Sequence, residues 1–130
     1  VRVAVDTNRL SDLFQGDLEL AQWLGTCEEV WVPLLVFAEL KVGFLAGSKQ
    51  SQNEATLSAF MGKPTVRLLT PTRATADHYA RLFVQLRSAG TPVPIKDVWI
   101  AALCLESDLS LVTRDQHFER VPQLLRADAT

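Results

Sequence analysis

Asp6, Glu39, Asp97 and Asp115 stand where a globular fold has little structural use for negative charge. Asp6 ends the strand-like run Val3-Ala4-Val5, and Asp115 follows the strand-like run 109–113. Glu39 interrupts the apolar stretch 32–45, and Asp97 opens the apolar helical segment 98–105. Gathered in one place, such groups would repel one another by roughly 4 kcal/mol per close pair at an effective dielectric near 20. A divalent cation among them relieves that repulsion. The chemistry this implies is metal-dependent cleavage of a phosphodiester bond.

The elements that must position these acids alternate between strand and helix. Strands are expected at 2–5, 30–32, 65–69 and 110–113, and helices at 9–14, 17–25, 34–46, 50–61, 72–89 and 97–106. Asp17 is a suitable N-cap for the second helix, and Gly25 lies near its end. In the long helix 72–89, Ala76, Tyr79, Ala80, Phe83 and Leu86 share one face, and Gly90 stops it. Short strands separated by helices imply a parallel sheet covered on both faces, a three-layer α/β fold of four or five strands. Ligands in such sheets bind outside the carboxyl ends of the strands, and Asp6 and Asp115 both lie at strand carboxyl ends.

Each acid also has a structural explanation. On a helix, Glu39 neighbours Leu35, Val36, Val42 and Gly43, while Lys41 lies some 160° round the helix, at about 100° per residue. A carboxylate entering an apolar surface without a partner costs several kcal/mol or becomes protonated, unless it emerges at an exposed edge. Asp97 shares a face with Ile100, Ala101 and Cys104, which points it inward, but it could instead cap its helix through the amide of Trp99 or Ile100. Turn formation or capping would account for Asp6 and for Asp115 taken singly. Taken together, two acids at strand ends and two on inward helix faces converge on one place. His78 lies near the polar side of its helix, and His117 reads most simply as a surface loop residue. Lys96, Arg9 and Arg114 adjoin the acids and are candidates for holding flanking phosphates.

The bulk properties bound the alternatives. With 130 residues and 48% hydrophobic content, residues 1–130 are expected to form one domain with one core. The longest apolar run, 30–38, is nine residues and contains Pro33, too short to span a bilayer. The first residues read as a strand rather than a signal peptide, and Cys27 and Cys104 read as reduced thiols, so a cytoplasmic location is expected. The net charge is −2, and removing the four acids from the count leaves +2. Such a balance admits RNA as a transient substrate and argues against a tight binder relying on a basic surface. The chain has no CxxC pair, Walker loop or GxGxxG, so neither a zinc ribbon nor a nucleotide cofactor is indicated.

Asp6-Thr7-Asn8, Ala38-Glu39-Leu40 with Gly43, Asp97-Val98-Trp99-Ile100-Ala101-Ala102, and Leu111-Val112-Thr113-Arg114-Asp115 followed by His117-Phe118 resemble, in order and spacing, a PIN domain. The resemblance is strongest to VapC-type ribonuclease toxins and spans essentially the whole chain. It implies a Rossmann-like parallel sheet, an acidic Mg²⁺ or Mn²⁺ site and endoribonuclease activity. It also implies a homodimer neutralised by a small VapB-like antitoxin, with DNA met only through that antitoxin. By position, Asp6, Glu39, Asp97 and Asp115 correspond to the family's four acids, and Thr113 to a hydroxyl residue that supports the site. Asp6 and Asp97 are the expected direct metal ligands, with Asp115 and Glu39 direct or through water. A metal-activated water would attack the phosphodiester in line, and Glu39, should apolar surroundings raise its pKa, could relay a proton. Little strand-like sequence follows Val121, so a final edge strand should be short or absent.

Two rival classes use similar residues. An aspartate-based phosphatase usually has a DxD arrangement where this chain has Asp6-Thr7-Asn8, and a receiver-like domain needs a second acid adjoining Asp6. A PIN-like binding module without activity would not need the full set of acids.

Overall fold

The computed structural model describes residues 1–128. In chain order the elements are β1 (Arg2–Val5), α1 (Thr7–Phe14), α2 (Leu18–Thr26), β2 (Glu29–Pro33), α3 (Leu34–Ala46), α4 (Gln50–Met61), β3 (Val66–Leu69), α5 (Arg73–Ser88), α6 (Ile95–Ser107), β4 (Ser110–Val112), a 3₁₀ helix (Gln116–Arg120) and β5 (Arg126–Ala127). The strands form one sheet in the order β3-β2-β1-β4-β5, with every neighbouring pair parallel. From β1 the chain moves outward through β2 to β3, then returns past β1 to β4. The switch point therefore lies between β1 and β4, where Ala4 pairs with Leu111 and Val5 with Val112.

Right-handed crossovers place α1 to α4 on one face of the sheet and α5 and α6 on the other. The packing agrees: α1 meets α2 and α3, α3 meets α4, and α5 packs along α6. Val3, Ala4 and Val5 of the central strand are fully buried, as a strand covered on both faces requires. Burying a valine side chain contributes about 1.5–3 kcal/mol, so Val3 and Val5 anchor the strand that delivers Asp6. Cys27 and Cys104 are buried free thiols. Among the described residues, no helix is long and apolar enough to cross a membrane.

The expected bounds of the third and fourth helices coincide with α3 and α4, and Asp17 caps α2 by accepting from the Leu20 amide at 3.0 Å. Two expectations need correction. The sixth helix starts at Ile95, two residues before Asp97, because Pro94 takes the cap position. The inward face of α5 is rotated: Ala76 and Ala80 are exposed, while Thr75, Leu82 and Leu86 are buried. Thr75 can enter the interior because its hydroxyl donates to Glu106 Oε1 at 2.5 Å, and Tyr79 stacks on Trp99 of α6 at 4.2 Å. The final strand is short, as expected, pairing with β4 over Arg126–Ala127 alone; Ala129 and Thr130 lie outside the described residues.

Candidate active site

Asp6 sits at the carboxyl end of β1, its amide donating to Val112 O at 2.9 Å to extend the β1–β4 ladder. It also caps α1. Oδ1 accepts from the Thr7 amide at 2.8 Å, and Oδ2 accepts from the Thr113 hydroxyl at 2.7 Å. The Thr113 oxygen in turn accepts from the Asp115 amide at 3.0 Å. Asn8 closes the seam: its side-chain carbonyl accepts from the Arg114 amide at 3.2 Å. The ends of β1 and β4 are thus stitched side chain to backbone across the switch point. The capping explanation holds for Asp6, whose two oxygens serve different partners, and Asp6 is not in the group of ligand atoms that Asp97, Asp115 and His117 bring together.

Asp97, in the first turn of α6, is 2% exposed, and its Oδ1 has no hydrogen-bond partner among the described residues. An unsatisfied buried carboxylate oxygen costs more than the 1–3 kcal/mol of a neutral group, so the fold holds it there against a penalty. Asp97 Oδ2 lies 3.3 Å from His117 Nδ1, and Asp115 Oδ1 lies 3.1 Å from the same nitrogen. Asp115 caps the 3₁₀ helix, accepting from the His117 amide at 2.9 Å. One ligand atom from each of Asp97, Asp115 and His117 falls within 4.8 Å of the others, close enough to share a metal ion. Reading His117 as a plain surface residue therefore missed a member of the cluster. Its position two residues after Asp115, the spacing of a turn that folds back, was the available signal. His78 of α5 is not a member of that group.

Glu39 of α3 is at the rim, its side chain 41% exposed. It accepts from the Thr7 hydroxyl in a short hydrogen bond and from Lys96 Nζ at 3.1 and 3.0 Å. Its surroundings are therefore polar, not the apolar ones that the proton-relay expectation assumed. The helix neighbour Val42 is itself 66% exposed, so that side of α3 is not a core face. Of the three nearby cations, only Lys96 faces the acids, lying 3.6 Å from Asp97 Oδ1. Arg9 is buried in ion pairs with Asp12, Asp17 and Asp128, and Arg114 grips Asp12 through two hydrogen bonds, at 2.8 and 3.0 Å.

Burial pushes the Asp6 carboxyl above the usual range, against the lowering effect of Thr113, Thr7 and Lys96, and Glu39 adds to the rise. Burial also raises Asp97; Lys96 and His117 oppose that, while the Asp115 and Asp6 charges reinforce it. For Lys96, burial pulls downward but the Glu39 hydrogen bonds and the Glu39, Asp6 and Asp97 charges outweigh it, so the net shift is upward. Cys104, behind the acids, is pushed up to about 12 by burial and by Asp6, which keeps it a neutral thiol rather than a metal ligand. Two buried carboxylates with raised pKa values beside a shared-ligand geometry are a donor set that fits a hard divalent cation. A cavity of about 410 Å³ lies elsewhere, among α1, α2 and α4 at the amino ends of β2 and β3; Lys63 is its one charged lining residue, so it has no means for this chemistry.

Comparison with known proteins agrees with this geometry. The PIN domain family model matches residues 3–124. Ribonuclease VapC4 of Mycobacterium tuberculosis is 28% identical over 93 residues, covering 72% of each chain. Ribonuclease VapC5 of the same organism is 30% identical over 91 residues, 70% of this chain and 67% of the relative. The DNA-bound VapBC crystal structure from Salmonella typhimurium superposes with a TM-score of 0.87 at 21% identity, over 100% of this chain and 99% of the other. A matched length that runs from β1 to the start of the last strand, with relatives of one kind, settles the family: this chain belongs to the PIN domain family, with VapC proteins as its relatives.

Proposed function

We propose that this protein is a metal-dependent endoribonuclease and the toxin of a toxin–antitoxin pair. The observation that carries the reading is Asp97 Oδ1, a buried carboxylate oxygen with no hydrogen-bond partner among the described residues, beside the convergent Asp97, Asp115 and His117. Asp97 and Asp115 would hold a Mg²⁺ or Mn²⁺ ion. Asp6 retains spare lone pairs beyond its two hydrogen bonds and lies close enough to raise the Asp97 pKa, so it would complete the acidic wall. When bound, such an ion lowers the pKa of water and screens the phosphate charge.

The remaining residues orient and balance. Thr113 fixes Asp6 and the Asp115 amide with one hydroxyl, so both strand ends move as a unit. The His117 amide fixes the Asp115 carboxylate, and Lys96 neutralises Glu39 at the rim, where a bare carboxylate would repel an incoming RNA backbone. The relatives are named ribonucleases, and the solved neighbours include VapBC complexes, some bound to DNA. By that likeness the substrate is RNA, the partner is a small antitoxin, and DNA is met through the antitoxin. A homodimer fits the apolar side chains Val42 and Leu45 that α3 leaves exposed.

The test is cleavage of a panel of tRNAs and structured RNAs with Mg²⁺, Mn²⁺ or EDTA, comparing the wild type with Asp97→Asn. Metal-dependent cuts at discrete sites, reduced about 10²–10³-fold in the variant, are the expected result, on the scale of losing one pre-placed charge-stabilising group. Equal cleavage by both proteins would sink the assignment.

A further inference from the structure

The acid cluster is not uniform. Glu39 is tied to the Lys96 ammonium by two hydrogen bonds and to Thr7 by a third. Asp97, on the other side of the same ammonium, leaves Oδ1 without a hydrogen bond, 3.6 Å from Nζ. The convergent donor set, Asp97, Asp115 and His117, excludes Glu39. The ammonium therefore sits between two acids that belong to different halves of the pocket.

We infer that Lys96 is a built-in cation occupying the place of a second metal, so that the site takes up one divalent ion on the Asp97–Asp115 side and leaves Glu39 outside that ion's ligand shell. The inference rests on the metal-dependent reading above. Three features support it. Lys96 is attached to the chain next to Asp97, so it is present at every encounter and cannot be diluted away. Its ammonium is the one cation at the cluster among the described residues, Arg9 and Arg114 being engaged by Asp12. A second dication beside a fixed ammonium would meet charge repulsion twice that between two single charges at the same distance. Freed of Lys96, Glu39 would face Asp97 and Asp6 with no cation between them, which is the arrangement that recruits a further metal.

The measurement is Mn²⁺ binding to the metal-free full chain, by calorimetry and by the electron paramagnetic resonance signal of free Mn²⁺, without RNA. The wild type is expected to bind one Mn²⁺ per chain. Lys96→Met is expected to bind two, with the first about tenfold tighter because a positive charge beside Asp97 is gone. Lys96→Met combined with Glu39→Gln should return to one, and Lys96→Arg, which keeps the charge, should stay at one. Circular dichroism and thermal melting establish that each variant is folded, and Glu39→Gln alone, which leaves the lysine in place, should still bind one. Two ions in the wild type, reduced to one by Glu39→Gln, would overturn the inference and leave the nuclease reading intact. A Lys96→Met protein with wild-type stoichiometry and affinity would do the same. No Mn²⁺ binding by the wild type, unchanged in Asp97→Asn, would overturn the metal-dependent reading itself.

Discussion

At the amino end of α1, Asp6 is buried beside other carboxylates and has its pKa pushed up by that burial. One turn further along the same helix, Arg9 is equally enclosed but bonded at 3.0 Å to Asp12 and at 3.0 Å to Asp128, with Asp17 at 3.8 Å. The two clusters share a helix and opposite treatments of charge. In the arginine cluster, the Arg114 hydrogen bonds, reinforced by Arg9, hold Asp12 below the usual carboxylate range. In the acid cluster, Glu39, Asp6 and Asp97 share one ammonium, and the two most buried acids, Asp6 and Asp97, are held above that range. A cluster that lowers the pKa of its acids gains stability from their ionisation; one that raises them is opposed by it. The first arrangement braces a fold, and the second is one whose repulsion a bound cation would relieve.

The sharpest break in that comparison is Arg9→Met. It keeps the stem's packing and removes the charge that unites Asp12, Asp17 and Asp128, leaving three acids without their shared partner. Breaking a buried pair costs about 3–5 kcal/mol, and because these acids are partly exposed the expected loss is about 2–3 kcal/mol, read from urea unfolding. Mn²⁺ binding should be unaffected. A loss under about 0.5 kcal/mol, the scale of a surface ion pair, would mean that the arginine cluster does not brace the fold.

The acid cluster should respond in the other direction. Asp97 has a folded-state pKa above its unfolded value, so its contribution to stability is present below the unfolded pKa and is lost as pH rises through the folded one. Asp97→Asn removes that loss. In metal-free protein it should raise stability at about pH 7.5 by about 1 kcal/mol, the low end of the penalty for an unsatisfied buried group, with the gain vanishing near pH 3.5. Asp12→Asn should behave inversely, destabilising at neutral pH, with the effect fading as pH falls past the unfolded pKa and gone below the lowered folded one. Thermal melts of both variants across pH decide it. If Asp97→Asn destabilises at neutral pH and Mn²⁺ fails to stabilise the wild type, then Asp97 is a structural acid and the contrast between the clusters collapses.

Much of this was legible in the residues. Strand ends followed by Asp6 and Asp115 mark the carboxyl edge of a parallel sheet, and the inward phase of Asp97 with Ile100 and Cys104 follows from helix geometry alone. What was hidden depends on partners far away in the chain. Glu39 reads as an acid among apolar neighbours because its true partners, Thr7 and Lys96, come from α1 and α6. Arg9 reads as a free cation because Asp128, which closes its pocket, is 119 residues away. The phase of α5 was misjudged because a threonine in the interior is unfavourable until Glu106, from another helix, accepts a hydrogen bond from its hydroxyl. His117 was discounted for the same reason: loop residues acquire a role only when the loop's fold-back is known.

Arg114 tests where one cluster stops and the other begins, and its effect should be the smallest. It lies in the loop that carries Thr113 and Asp115, yet its guanidinium belongs to the arginine cluster through Asp12, and its side chain is 55% exposed. Exposed pairs contribute about 0–1 kcal/mol, so Arg114→Gln should cost about 0.5 kcal/mol or less. The loop should keep its shape, because the Arg114 amide donates to Asn8 and the Asp115 amide to Thr113 independently of the guanidinium. RNA cleavage at saturating substrate should therefore be unchanged, whereas a guanidinium that leaves Asp12 to hold a flanking phosphate would show as a raised KM with kcat preserved. A fall in kcat of about tenfold or more, about 1.4 kcal/mol of lost transition-state stabilisation, would place Arg114 within the reacting site. The two clusters would then have to be treated as one catalytic unit, with Asp12 holding an arginine in reserve rather than bracing the fold.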